Sequence, residues 1–213
     1  MGFSWPSRTG LQLPLFIEKL FQANLIKSNS FAFYLTPGQQ SKGSYILFGG
    51  VDKKYYDGEL QYHPVLRNPY WSLQLSSISY SNAVVTQNTN PVALINSGTS
   101  FLIAEPQIAN PLMKQIGYSG RLPCDEVDGL LDIRIKIFNF EYRIPPKNYV
   151  IKTTQFGRTF CQLGVISGDL SGVSPATVML GSVFMRTYFT HFDYTNWRIG
   201  FAPAKQTPNL SLE

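Results

Sequence analysis

At 213 residues the chain can bury a sizeable core without metal or dense disulfides to hold it. Charged residues make up 15%, against a usual share of about 25%, while Gly, Pro and aromatic residues are frequent, which excludes coiled coils and helical repeats and fits a turn-rich β protein. The net charge of +5 is scattered rather than gathered into the basic face of a nucleic-acid binder, and no apolar run approaches the about 18 residues that a membrane-spanning helix needs.

In chain order, the opening Met1-Gly2-Phe3-Ser4-Trp5-Pro6-Ser7 has neither strand nor helix period, and it lacks the charged and apolar regions of a signal peptide. Leu15, Phe16, Leu20 and Phe21 then recur at helical spacing, and Pro14 suits a first turn, predicting a helix over 14–24. Phe31 to Leu35 and Ser44 to Phe48 read as strands, ended by Thr36-Pro37-Gly38 and Gly49-Gly50. Leu60 to Val65, Trp71 to Leu75 and Ile78 to Tyr80 follow as further strands. A polar loop over 86–90 precedes Val92-Ala93-Leu94-Ile95.

A second apolar run, Phe101-Leu102-Ile103, follows the polar turn Asn96-Ser97-Gly98-Thr99-Ser100. Apolar runs on both sides mark strands buried on both faces, which present that turn as a candidate site. Glu105-Pro106 starts a helix to Ile116, stopped by Gly117, with a kink implied by Pro111. Leu131 to Ile137 alternates cleanly, Asn139 permits a hairpin into Tyr142-Arg143-Ile144, and Pro145-Pro146 ends it. Phe160 to Ile166 is a strand, 167–176 a Gly/Ser/Pro loop, and Val178 to Gly181 a short buried strand. A brief helix at Ser182 to Arg186 leads to strands around Tyr188 to Phe192 and Trp197 to Phe201, joined by the turn Asp193-Tyr194-Thr195-Asn196. The tail from Lys205 is polar and carries the sequon Asn209-Leu210-Ser211. Many short strands and few helices predict a mainly β fold.

Other chemistries find little support. His63 and His191 have no Cys or His at ligand spacing, so neither a metal nor another cofactor is expected. There is no Gly-x-Ser-x-Gly elbow and no phosphate loop. Cys124 and Cys161 are either two thiols or one bridge; a bridge would be worth about 3 to 4 kcal/mol in the chain-entropy model.

The turn Asn96-Ser97-Gly98-Thr99-Ser100 resembles the active-site loop of the pepsin-like aspartic peptidases, Asp-(Thr/Ser)-Gly-(Thr/Ser)-Ser. Other segments match that family in the right order. They are Ile46-Leu47-Phe48-Gly49-Gly50-Val51-Asp52, Tyr55-Tyr56-Asp57-Gly58, Tyr70-Trp71, Tyr142 to Tyr149, Met179-Leu180-Gly181-Ser182-Val183-Phe184 and Ile199-Gly200-Phe201-Ala202. The resemblance runs from residue 1 to about 204 and implies a C-terminal lobe of two-layer β architecture with few short helices. By the same resemblance residues 1–40 are a remnant of the N-terminal lobe and the crossover, 41–204 the C-terminal lobe, and 205–213 a mobile tail. Cys124 and Cys161 sit where that lobe carries a disulfide.

What the resemblance implies for function turns on Asn96, which stands where the family has its catalytic Asp. The first lobe, with its own Asp loop and flap, is absent. The expectation is an aspartic-peptidase-like protein without catalysis, serving as a binding or structural subunit; the alternative is a fragment of a two-lobed endopeptidase. Ser97, Gly98, Thr99, Ser100 and Tyr56 are expected in the substrate cleft, and Ser182 replaces a frequent Asp. A protein partner or a second copy is expected over the apolar inter-lobe face, and peptide binding stays open. Family likeness and a bridge favour a secretory or vacuolar route, against which stands the lack of a signal peptide.

Overall fold

A computed structural model of the protein describes residues 15–36, 43–66, 69–86, 89–120, 122–173 and 176–205. The opening segment with Pro14, parts of the loops predicted at 36–38, 86–90 and 167–176, and the tail with Asn209 lie outside the described residues.

The first described element is helix α1 (Phe16–Gln22), where the Glu18 carboxylate accepts the Leu15 N–H at 2.9 Å and satisfies a donor that the helix start leaves open. Strands β1 (Ser30–Tyr34) and β2 (Tyr45–Phe48) follow, then a 3-10 turn at Lys53–Tyr55 and β3 (Gln61–Pro64). The predicted strands at 71–75 and 78–80 are one strand, β4 (Ser72–Tyr80), which absorbs a register shift between Leu75 and Ser77 and so accommodates the break in alternation. Next come β5 (Ala83–Val84), β6 (Val92–Ile95) and β7 (Leu102–Ala104). Helix α2 (Pro106–Ile116) runs through Pro111 without ending, and Gly117, at φ 82°, closes it as Tyr118 N–H donates to Met113 O at 2.9 Å.

A 3-10 turn at Val127–Gly129 leads to the hairpin of β8 (Ile133–Ile137) and β9 (Phe140–Ile144). Beyond Pro145 the chain makes a helical turn, α3 (Pro146–Tyr149), whose Tyr149 hydroxyl donates to Leu131 O at 2.6 Å. It then forms a strand that alternation does not announce, β10 (Val150–Gln155), paired in register with β11 (Arg158–Leu163). The run expected as one strand from Phe160 to Ile166 is split at Gly164, whose N–H donates to Tyr149 O at 2.6 Å and where a Cβ would meet that same oxygen. Beyond the split lies β12 (Val165–Ser167). Strand β13 (Thr177–Leu180), helix α4 (Ser182–Met185), and strands β14 (Tyr188–Asp193) and β15 (Arg198–Pro203) complete the described elements.

The chain falls into two compact units. Among the described residues, the first takes those up to Leu73 together with those from Met185 onward, and its sheet has the antiparallel order β2-β1-β14-β15-β3. Both faces of β1 are buried because each meets aromatic cover. On one side Phe31 stacks on Phe192 at 4.6 Å, with Trp71 and Tyr194 edge-on beside them; on the other Ala32 and Tyr34 join Tyr55, Tyr56, Phe189 and Ala202. The second unit, Gln74 to Phe184, contains the sheet β12-β7-β13-β6-β4-β8-β9, with β5 on β4, and the separate β10–β11 ribbon. Helix α2 turns Ile108, Ala109, Leu112 and Ile116 inward, all buried. The mainly β expectation holds: among the described residues strands dominate, and the helices are few and short. No helix among the described residues is long and apolar enough to cross a membrane.

Candidate functional site

The 96–100 turn is built by three strands of the second unit. Strand β13 lies between β6, which it pairs in parallel (Met179↔Leu94), and β7, which it pairs antiparallel (Met179↔Ile103). Chain leaving β6 must therefore cross over β13 before entering β7, and residues 96–101 make that crossing. The apolar runs on either side are apolar because these strands are buried: Val92 to Ile95 entirely, with Leu102 and Ala104 beyond the turn.

Asn96 stabilises the turn with both ends of its amide. Its Oδ1 accepts the Gly98 N–H at 2.8 Å, its Nδ2 donates to the Met179 thioether sulfur at 3.2 Å, and its own N–H donates to Leu180 O at 3.1 Å. Thr99 Oγ1 accepts the Phe101 N–H at 3.2 Å. From the far side, the successive N–H groups of Gly181, Ser182 and Val183 donate to the carbonyls of Phe101, Thr99 and Ser100 at 3.1, 2.9 and 3.2 Å, and the Ser182 hydroxyl reaches the Thr99 carbonyl at 3.3 Å. Only glycine fits at 181: a Cβ would lie 2.4 Å from Thr99 O and 2.5 Å from Phe101 O. Ser97, Gly98 and Ser100 are exposed, while Asn96 and Thr99 are half-buried.

Structure thus brings together Asn96, Ser97, Gly98, Thr99 and Ser100 and adds Ser182. Chemically, the site offers hydroxyls, an amide and a thioether. Asn96 cannot ionise, and its Oδ1 is occupied by a backbone N–H, so it is neither an acid nor a base at working pH. Met179 escaped sequence reasoning, because a thioether in an apolar run gives no sign that it will face an amide; only the pairing of β13 between β6 and β7 places it there. The hydrogen-bond trio from Gly181 to Val183 had a trace in the sequence, the Leu180-Gly181-Ser182 step.

The other singled-out residues belong to other elements. Tyr56 belongs to the core of the first unit, where it is 6% exposed, its ring stacked on Phe189 at 4.8 Å with the Lys53 ammonium 4.7 Å above it. Cys124 and Cys161 form a disulfide with Cα atoms 5.3 Å apart, which settles the choice between bridge and thiols. Both histidines are buried in the first unit. His191 Nδ1 shares a hydrogen bond with the Tyr62 hydroxyl at 2.8 Å, and Arg198 lies over the Tyr62 ring while its Nε donates to Asp193 at 2.8 Å. Burial pushes His63 and His191 down to about 4, so both are neutral packing groups near pH 7. Among the described residues no three His, Cys, Asp or Glu side chains gather as metal ligands would.

Comparison with known proteins shows the family of the chain. The family described as Eukaryotic aspartyl protease matches residues 1–204. The chain is 34% identical to cathepsin D of Mus musculus over 199 residues, covering 90% of this chain and 48% of that protein. It is 35% identical to a pregnancy-associated glycoprotein of Equus caballus over 211 residues, and 35% identical to pepsin A-5 of Mus musculus over 212. Each of these two alignments covers 96% of this chain and 53% of the relative. The chain spans about half the length of the curated relatives it matches.

Proposed function

Because this chain belongs to the eukaryotic aspartyl protease family yet carries Asn96 at the position of the family's active-site carboxylate, we propose that it is a non-catalytic lobe acting as a binding or structural subunit of a larger assembly. Asn96 carries the reading. Aspartic peptidases hydrolyse peptides with two carboxylates that share one proton, one activating water and the other polarising the scissile carbonyl. An amide of the same shape can neither take a proton from water nor share one with a partner carboxylate, and loss of a general base alone costs about 10²- to 10⁴-fold in rate. The Asn96 amide is instead engaged in holding its own turn, with Met179 as acceptor for the hydrogens that a carboxylate would lack.

A role in contact is supported by the surface of the first unit. Phe16, Phe21, Ile46 and Phe48 are each more than two-fifths exposed, and the Phe16 and Phe48 rings meet edge to face at 5.8 Å. Apolar groups exposed in this way favour a protein cover, either a partner lobe or a second copy. In this reading residues 41–204 are the pepsin-like lobe, residues 1–40 belong to its junction with a neighbour, and the exposed Ser97, Gly98 and Ser100 are the part of the turn left to meet a peptide. The test is size-exclusion chromatography with intact-mass and cross-linking analysis of native material. Expected is a mass above that of one chain, with cross-links from Lys19 or Lys27 to another polypeptide; a clean soluble monomer overturns the subunit role.

A second reading is that the sequence is half of a two-lobed aspartic endopeptidase, favoured by its span of about half the length of its relatives. An in-frame upstream Asp-Thr-Gly-Ser segment in the transcript would support that origin. Asn96 would still leave the pair of lobes with a single carboxylate.

A further inference from the structure

The β10–β11 ribbon has a feature that stability alone does not explain. Its two-residue turn, Phe156-Gly157, places both residues in the left-handed region, at φ 49° and 73°. Such turns favour Asn-Gly, and a bulky aromatic in this conformation is strained. The Phe156 ring is also fully exposed, and all side chains from Lys152 to Phe160 are exposed, so neither face of the ribbon rests on the body of its unit. The sequence therefore accepts backbone strain and a wholly solvated phenyl ring at one apex, where asparagine would avoid both.

The ribbon's own charges have one sign; acidic Asp125 and Glu126 follow Cys124 at its base. Between Glu141 and Asp169 there is no acidic residue, while Arg143, Lys147, Lys152 and Arg158 are present. Arg143 is paired with Glu141, but among the described residues neither Lys152 nor Arg158 makes an ion pair. Arg158 stands directly opposite Gln155, next to the turn, and Lys152 stands opposite Cys161, whose disulfide to Cys124 tethers the ribbon near its base. Phe160, 55% exposed, adds a second apolar ring on the strand that returns from the apex.

We propose that this ribbon is a membrane-surface anchor: Phe156 enters the interfacial layer of an anionic lipid bilayer while Arg158 and Lys152 meet its head groups. A narrow two-stranded ribbon offers too little area for a specific protein interface, which needs a packed core and a polar rim. A lipid interface, by contrast, takes up a single aromatic side chain and rewards nearby cations. The disulfide supplies the rigidity that keeps the apex presented. The inference rests on the second unit alone and stands whether or not Asn96 abolishes catalysis.

The test is co-sedimentation of the full chain with phosphatidylcholine vesicles, with and without phosphatidylserine, at low and high salt. Binding to the phosphatidylserine vesicles that weakens with salt is expected. Phe156→Asn, which gives the turn a preferred residue, should lower that binding at least about ten-fold while the melting temperature is kept or raised. A purely structural Phe156 would do the reverse. The double variant Lys152→Gln/Arg158→Gln should reduce both the binding and its salt dependence. The proposal is overturned by no binding to anionic vesicles, by equal binding to both vesicle types, or by binding that Phe156→Asn leaves unchanged. Phe156-dependent capture of polyglutamate without vesicle binding overturns it as well, in favour of an acidic protein partner.

Discussion

Asn96 and Gly181 meet across the same turn, one by making hydrogen bonds and the other by having no side chain. Removing the amide in Asn96→Ala leaves the Gly98 N–H without its acceptor and should lower stability by about 1 to 2 kcal/mol, measured by urea denaturation. Asn96→Asp keeps an acceptor for that N–H but sets carboxylate oxygen against the Met179 sulfur, so its loss should be smaller than that of the alanine variant. Gly181→Ala is the severe change: its methyl group would press on two carbonyl oxygens that already accept hydrogen bonds, a cost of about 3 kcal/mol. Both positions were legible in the sequence, because a polar turn between apolar runs and a glycine ending a buried strand are each unusual on physical grounds. Met179 was not, since its role depends on a strand about eighty residues away in sequence, as the Asn96–Met179 separation of 83 shows.

The ribbon formed by β10 and β11 shows where alternation fails as a guide. A strand announces itself when one face is buried, and from Lys152 to Phe160 neither face is. What holds this element is its backbone ladder, the cross-strand Thr154–Thr159 hydroxyl contact at 3.3 Å and the disulfide, and the ladder leaves no mark in a hydrophobic pattern. The strands of the two large sheets, by contrast, could be read because each must present apolar residues to a core. Closing a loop of 37 residues, the Cys124–Cys161 bridge should contribute about 3 to 4 kcal/mol. The variant Cys124→Ser/Cys161→Ser is therefore expected to melt several degrees lower, as read by circular dichroism. Hydrogen exchange should accelerate first in the ribbon, where little buried surface backs up the lost bridge.

At the scale of the whole molecule, the first unit carries an acid sensitivity of its own. His63 and His191 are each held by burial at about 4, below the ordinary value of 6.5, so protonation favours the unfolded chain. Their contribution is complete above pH 6.5 and is lost as the pH falls toward 4, by up to about 3 kcal/mol for each histidine. Burial also works against ionisation of Asp193, but hydrogen bonds from Asn196 and Arg198 outweigh it and hold the carboxyl below its usual value, so its stabilising contribution fades at still lower pH. Urea midpoints at pH 7 and pH 5 should differ clearly, and His191→Gln should flatten the slope between them. Assayed at acid pH against an unfolded protein substrate, the wild-type chain should show no cleavage. Asn96→Asp should restore cleavage only if a second carboxylate is supplied by another lobe or a second copy. The placement of β13 between β6 and β7 also governs how the chain reaches its native state. Strands close in sequence, β6 and β7, are joined by one that arrives much later, so the turn between them closes only after a long-range encounter. Refolding should accordingly be slow. It should be slower still in the chain without the 124–161 bridge, which shortens the path from β7 to β13 before they meet.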